Sequence, residues 1–218
     1  MARKPKALKS RSAKSAAKTG ELERIIAAAM DEAAAVGWAH LSFEAVAARA
    51  KLTLGQVLLH TPTKGHLLAR FADEIDRTAL SSVASIDHTQ TVKDRLFDLL
   101  MRRFDALQAY RPGVLAVMTG LQRDPPTAAM LLARLSRSMS ATLAAAGVAC
   151  NGLMGLGQMM GLKAVYLSAL RAWRTDDSTD MARTMAALDK ALGFAERAAS
   201  FAAGRGKRKD SDSTTAES

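Results

Sequence analysis

Cysteine is almost absent from this 218-residue chain, and aromatic residues are scarce. Cys150 is the single cysteine, so an internal disulfide framework is excluded and a reducing compartment is expected. Phe, Trp and Tyr together make up only 5% of the residues, whereas hydrophobic residues of all kinds make up 49%. The core must therefore be built mainly from aliphatic and small side chains, and a largely disordered or collagen-like chain is excluded.

Recognisable catalytic and metal-binding patterns are also missing. His60 and His66 are six residues apart, whereas a separation of three or four would place two ligands on one helix face. Cys150 has no neighbouring His or Cys, so we interpret it as a buried structural thiol. No glycine-rich phosphate loop follows a strand. We therefore predict that the protein is not an enzyme and binds no metal and no cofactor.

No targeting or membrane-spanning segment is recognisable. The basic N-terminus is not followed by an apolar region, which argues against a secretory signal. Residues 138–162 carry no charge, but they are rich in glycine and poor in large aliphatics, whereas a spanning helix needs about 20 predominantly apolar residues. We predict two soluble helices broken near residues 147–151, and no stable membrane insertion.

The net charge of +10 is concentrated at the N-terminus. Residues 1–20 hold seven Lys and Arg and no acidic residue, whereas residues 21–203 carry a net charge of only +2. A basic arm of this kind suits an anionic partner such as nucleic acid, although a solubilising tail is an equally good interpretation. We predict that residues 1–20 and 204–218 are disordered.

The apolar residues between these ends recur at helical spacing, and no alternating strand pattern is present. We predict an all-α protein of about nine helices. Five residues mark predicted helix boundaries by their capping chemistry: Gly37, Ser42, Thr53, Thr63 and Asp124. Two of the predicted helices are short, cover residues 42–50 and 54–60, and are joined by a tight turn. Together with the preceding helix, residues 21–36, they predict a helix-turn-helix motif at about 42–61.

At these residues the sequence resembles the TetR family of bacterial transcription regulators over about residues 21–75. The residues that carry the resemblance, in register and without gaps, are Gly37, Ser42, Val46-Ala47, Ala50, Leu52-Thr53, Gly55, Val57, His60, Pro62, Lys64 and Leu67-Leu68. Four positions depart from the family pattern, with Lys51 at the turn glycine, Leu58 at the recognition-helix tyrosine, Thr61 at the exit phenylalanine and Leu54 where a polar or basic residue is usual. The resemblance implies a three-helix DNA-binding head followed by a larger helical domain that dimerises and often binds a small ligand.

The predicted DNA contacts divide into two groups. Base edges are read by hydrogen-bonding side chains, and the second short helix offers Thr53, Gln56, His60 and Thr61. Phosphates are contacted by polar and cationic groups. The predicted phosphate contacts are Ser42, Lys51, His60 and Lys64.

The C-terminal half, residues 76–203, is predicted to form the ligand-binding and dimerisation domain. An apolar stripe near its end predicts a dimer interface within a four-helix bundle built from the last two long helices of each subunit. The stripe consists of Met181, Met185, Leu188 and Leu192. Nine of the eleven Met residues lie at or after residue 101, and flexible thioethers suit an adaptable apolar pocket. The predicted pocket residues are Met118, Met130, Met139 and Met159, with ordinary core packing as the alternative.

We therefore predict a homodimeric DNA-binding transcriptional regulator, most simply a repressor, that binds an operator and an unknown small apolar ligand in the bacterial cytoplasm, with nucleoid association when bound. The C-terminal half also resembles, more loosely, the ubiquinone-biosynthesis accessory proteins, which share the TetR fold. That resemblance implies the main alternative, a lipid- or quinone-binding protein without DNA binding. A weaker alternative is nonspecific DNA compaction through the basic arm.

Overall fold

The computed structural model describes the backbone of residues 6–81 and 89–215, and the side chains of residues 20–81 and 89–200. Within these ranges the chain forms nine α-helices and one short 3₁₀ turn, Trp38–His40, and no strand, which confirms the predicted all-α class. The helices are α1 Lys6–Val36, α2 Phe43–Ala50, α3 Leu54–His60, α4 Lys64–Leu80, α5 Val92–Gln108, α6 Arg111–Leu121, α7 Pro125–Ala145, α8 Gly152–Arg174 and α9 Ala182–Thr215.

The chain divides into two compact units. Unit 1 comprises Met1–Ile75 and Ala106–Leu131, and unit 2 comprises Asp76–Asp105 and Leu132–Ser218. The predicted boundary after residue 75 coincides with the first division, but the prediction of two continuous domains was wrong. The segment containing α6 belongs with the helix-turn-helix because it packs on α1, a contact that no local sequence pattern announces.

Both predicted disordered ends contain helical backbone. Helix α1 begins at Lys6 rather than near residue 21, and α9 extends to Thr215. Lys, Ala and Arg, which dominate residues 6–19, favour helix, and Gly20 in the interior costs only about 1 kcal/mol. Helix α1 therefore continues through Gly20. Residues 1–5 and 216–218 of the predicted tails lie outside the described residues.

Unit 1 is organised around one buried face of α1. Ile25, Ile26, Ala29 and Ala33 on that face are fully buried. Helix α6 approaches α1 so closely at Gly113 that a Cβ atom there would collide with the backbone of Met30. The close packing of α1 and α6 therefore requires glycine at this position.

Unit 2 is built around larger side chains. Trp173 and Phe104 are fully buried, and the Phe104 ring stacks on Tyr166 with a centroid separation of 5.3 Å. Arg103 is paired with Asp76 and donates a hydrogen bond to Ser138 Oγ at 2.8 Å. Helices α8 and α9 pack along each other and provide much of this unit's helix contact.

The junction before α8 confirms the predicted break. Helix α7 ends at Ala145 and α8 begins at Gly152. By length and composition alone, α8 is one described helix that could cross a bilayer. It contributes Trp173 and Tyr166 to the core of unit 2, as a helix of a folded helical domain does.

Candidate nucleic-acid interface

Local capping chemistry shapes the α2–turn–α3 motif. Ser42 is the N-cap of α2, and its hydroxyl accepts a hydrogen bond from the Ala45 N–H at 3.2 Å. Lys51 ends α2 in the left-handed conformation, with φ 54°, at the position where the family pattern has glycine. Thr53 then opens α3 through a reciprocal capping box with Gln56. The predicted caps Ser42 and Thr53 are thus confirmed, and the turn has helix-turn-helix form.

Buried aliphatic residues hold the motif together. Val46 and Ala47 of α2 and Val57 of α3 are buried, so the two short helices share one apolar core. Arg49 of α2 makes an ion pair with Glu32 of α1, with 2.6 Å between Nε and Oε2. Since α2 and α3 are too short to be stable alone, this packing against α1 fixes the orientation of α3.

Two of the predicted base-reading side chains are engaged inside the protein. The Gln56 carbonyl oxygen accepts hydrogen bonds from the Thr53 N–H at 2.9 Å and the Thr53 hydroxyl at 3.0 Å. The Gln56 amide nitrogen donates to Glu21 Oε1 at 3.4 Å, and His60 Nε2 lies 3.2 Å from Glu21 Oε2. Glu21 of α1 therefore binds both side chains. Sequence reasoning missed this residue, because no short-range pattern connects Glu21 to residues 35 and 39 positions away.

Two further predicted contacts also point inward. Thr61 is fully buried and its hydroxyl donates to the Val57 carbonyl at 3.0 Å, so the prediction that Thr61 reads a base edge was wrong. Lys64 donates to the carbonyls of Trp38 and Ala39, at 3.2 and 2.9 Å, and so closes the 3₁₀ turn. The Thr61 hydroxyl bonds back to the carbonyl four residues earlier, which also accepts the Thr61 N–H, whereas the Lys64 ammonium binds two carbonyls of the 3₁₀ turn.

Three predicted contacts remain at the surface: Ser42, Lys51 and Thr53 are all exposed. The Ser42 hydroxyl serves as a helix cap and retains its donor, whereas the Thr53 hydroxyl both caps α3 and donates to Gln56, so it retains acceptor capacity only. Lys51 extends from the turn between the two helices. These residues form a polar edge beside α3, where phosphate contacts remain the prediction.

An apolar cavity of ≈ 710 Å³ lies in unit 2 among α5, α7, α8 and α9. None of the four predicted methionines lines it. Met118 and Met130 belong to unit 1, and Met139 is fully buried in the core of unit 2. The prediction failed because methionine fills ordinary cores as readily as ligand pockets. The main apolar lining residues are Leu96, Leu143, Val148, Met154, Leu162 and Leu192.

Few polar groups line this cavity. The Gln158 carbonyl oxygen is buried and has no hydrogen-bond partner within the described residues. Lys93 pairs with Asp189, with 2.7 Å between Nζ and Oδ1. The hydrogen bond that Lys93 donates to Asp189 raises the pKa of Lys93 above its ordinary value, and the charges of Asp189, Glu196 and Asp94 add to this effect, which outweighs the lowering by burial. The cavity thus presents an apolar wall with one free acceptor and a charged rim.

The predicted dimer stripe forms part of the core of unit 2. Met181, Leu188 and Leu192 are 6%, 0% and 4% exposed in the single chain, and only Met185 is partly exposed. The predicted dimer interface therefore finds no support at this stripe, because the same chain already covers it. Helical periodicity shows that a face is buried, but it does not say whether the covering surface comes from the same chain or from another.

A different apolar stripe remains uncovered on α8. Leu153, Leu156 and Met160 follow one another at spacings of three and four residues and are 85%, 52% and 53% exposed. Phe194 of α9 is 69% exposed. A contiguous apolar patch on a helix surface usually marks an interaction site.

Metal chemistry finds no support in the side chains that can be placed. No group of three or more His, Cys, Asp or Glu within the described ranges could hold a metal ion. Cys150 is half-buried, and its thiol lies 3.6 Å from the Val148 carbonyl.

Comparisons with known proteins concern the fold. No family model matches the chain, and no curated protein sequence matches it significantly. Solved structures do. A TetR transcriptional regulator from Nitrosomonas europaea ATCC 19718 superposes with a TM-score of 0.67 and 23% identity, covering 80% of this chain and 97% of that one. A TetR transcriptional regulator from Rhodococcus sp. RHA1 gives 0.59 and 18%, covering 81% and 96%. The chain therefore has the fold of the TetR-type transcriptional regulators.

Proposed function

We propose that this protein is a dimeric DNA-binding transcriptional regulator of the TetR type. The observation that carries the proposal is the α2–turn–α3 motif, with both helices capped and α3 held by Val57 on a three-helix head. In a helix-turn-helix the second helix enters the major groove, and the first crosses the backbone. The likeness of the whole chain to regulators of this type supports the same function.

The basic N-terminal segment supplies the electrostatic attraction for DNA. Residues 21–75 contain seven acidic and five basic residues, whereas residues 1–20 add seven basic residues and no acidic one. Phosphate binding releases counterions, and this sequence-independent term supports most DNA affinity. Affinity for any duplex is therefore expected to depend on residues 1–20, and sequence preference on α3.

The proposed dimer interface lies on the outer stripe of α8, with Leu153, Leu156 and Met160, together with Phe194 of α9. A Cβ atom at Gly157, on the same side of α8, would meet nothing within 4 Å. Glycine at an exposed helix position costs about 1 kcal/mol relative to alanine; Gly157 and Leu153 also line the wall of the cavity, and close approach by a second subunit along the same stripe is the reason that we propose for the glycine. Such a dimer would carry two copies of α3, the number that an operator with two half-sites requires.

The cavity of unit 2 supports a ligand-responsive regulator. Its wall suits a small apolar molecule, and the free Gln158 carbonyl oxygen suits one hydroxyl or N–H donor on that molecule. We propose that the protein represses transcription and that binding of the ligand relieves this repression. We propose a non-enzymatic protein of the bacterial cytoplasm. The alternative, a lipid- or quinone-binding protein without DNA binding, is not favoured, because the solved structures that share the fold of this chain are transcriptional regulators.

The test is selection of DNA from a pool of random-core duplexes by the purified full-length protein at fixed salt. A regulator enriches duplexes with two matching half-sites whose centres lie one helical turn apart or a multiple of it. L52D serves as the negative control, because it places a charge at the half-buried position of the turn and should disrupt the helix-turn-helix head. Failure to enrich any sequence over the starting pool, with the folded dimer intact, overturns the proposal.

A further inference from the structure

The surface of α3 that remains open to a partner is apolar. Leu54, Leu58 and Leu59 are 36%, 38% and 77% exposed, and Gly55 is exposed as well. With about 100° of rotation per residue, these four positions share one arc of about 140° on the helix. Gln56 and His60 lie on the adjacent side and face Glu21. The most accessible arc of the recognition helix therefore carries no hydrogen-bonding side chain.

Gly55 lies in the middle of this arc without an internal reason for being glycine. Its backbone is not in the left-handed region, and a Cβ atom would meet nothing closer than the Thr53 hydroxyl at 4.0 Å. Because glycine weakens a helix of seven residues, the missing side chain serves the outer surface. It lets the helix backbone approach a partner closely between flanking leucines.

Base pairs differ in what they offer an apolar surface in the major groove. Guanine, adenine and cytosine present hydrogen-bonding groups there, and only thymine adds a methyl group, at C5. Three leucines around a glycine can bury such methyl groups, which a G·C pair lacks; they leave polar base edges of both kinds of pair without partners, so the methyl contact is what favours an A·T pair. An apolar recognition surface is therefore selective for A·T pairs in a given orientation.

Resting on the proposed function, we propose that α3 reads its operator through thymine C5-methyl groups, with Leu54, Leu58 and Leu59 as the specificity-determining residues. Lys51 and Ser42, exposed at the edge of the motif, are placed to contact phosphates on the groove wall. Glu21 is a positioning residue. By binding Gln56 and His60, it sets the rotation of α3 that turns the leucine arc outward.

The experiment compares one duplex in two chemical forms. A duplex enriched from the random-core pool is synthesised with thymidine and again with deoxyuridine in the selected core. This exchange removes the C5 methyl groups but keeps base pairing and the O4 acceptors. We expect the full-length protein to bind the deoxyuridine form about fourfold more weakly for each contacted methyl group, since one buried methylene-sized group contributes about 0.8 kcal/mol.

Matched variants assign the effect to residues. L59A is expected to bind both forms with nearly equal affinity, because the methyl groups have lost their main contact. V36A, which truncates an exposed aliphatic residue of unit 1 outside α3, is expected to keep the full difference. G55A is expected to fold at least as stably as the parent and to bind the selected duplex more weakly.

Four outcomes contradict the inference. Equal affinity of the parent for both forms, or a full methyl effect in L59A, overturns thymine reading while leaving sequence-specific DNA binding in place. Unchanged DNA binding by L59A and G55A would show that the leucine arc does not read the operator. Failure to enrich any duplex removes the proposed function and this inference together.

Discussion

The apolar stripe that contains Leu188 could serve either core packing within one chain or contact between subunits, and truncating Leu188 distinguishes the two roles. Leu188 is 0% exposed within one chain. Replacing a fully buried leucine by alanine costs about 2–5 kcal/mol, which includes the cavity left behind. We therefore expect L188A to lower the free energy of unfolding by about 3 kcal/mol, a large part of the 5–15 kcal/mol typical of a folded domain. Urea unfolding followed by circular dichroism at two protein concentrations measures this loss.

The matched perturbation is L156D on the outer face of α8, where the leucine is 52% exposed. A charge at the proposed interface should give a folded monomer, with unchanged helical signal and half the mass in sedimentation velocity. L132D is the control, since Leu132 is 43% exposed on α7 and lies outside the stripe. The reasoning is refuted if L188A dissociates subunits without loss of unfolding free energy. It is also refuted if L156D remains a dimer at micromolar concentration.

Three further changes probe single features. K51G should raise the free energy of unfolding by about 1 kcal/mol and the Tm by about 3 °C, because glycine adopts the left-handed conformation of residue 51 without strain. A lower Tm in calorimetry contradicts this prediction. Burial of Asp176 opposes ionisation, but hydrogen bonds from Ser178 and Thr184 outweigh it and hold the pKa of Asp176 well below its usual range. The contribution of the ionised Asp176 to the free energy of unfolding is complete above about pH 5 and is lost progressively as the pH falls below about 4. The unfolding free energies of the parent and D176N should therefore differ by about 1.5–3 kcal/mol at pH 7 and converge in acid. A difference that stays constant with pH refutes the assignment. Deleting residues 2–19 should weaken binding to all duplexes alike and flatten the salt dependence by about 0.9 log units per lost phosphate contact, and an unchanged slope in fluorescence anisotropy titrations would show that the segment does not contact DNA.

Local capping chemistry could be predicted from the sequence because its causes lie within a few residues. Gly37 takes a positive φ of 84° after α1, and Asp124 accepts from the Thr127 N–H at 3.2 Å at the start of α7. Ser42, Thr53 and Thr63 cap their helices as predicted. These assignments place the helix-turn-helix motif correctly before any tertiary contact is known.

The partners of each helix face could not be predicted in the same way. Glu21 and Gln56 are 35 residues apart, and their contact depends on how α3 packs against α1. The α9 stripe shows the same limit, since its period identifies an apolar face without identifying what covers it. Side chains with more than one possible partner, such as Gln56 and Lys64, are therefore the ones whose predicted roles changed.

The contact between Gly113 and Met30 has a consequence for dividing the protein into fragments. Unit 1 includes α6, which comes from a later part of the chain and places Gly120 against the Trp38 ring. A fragment that stops at residue 75 would leave this side of α1 and the Trp38 side chain uncovered. Such a fragment is expected to be insoluble or partly unfolded, whatever its affinity for DNA would be in the whole chain. A single-chain head that folds alone would instead need residues 106–131 rejoined to it through a short linker.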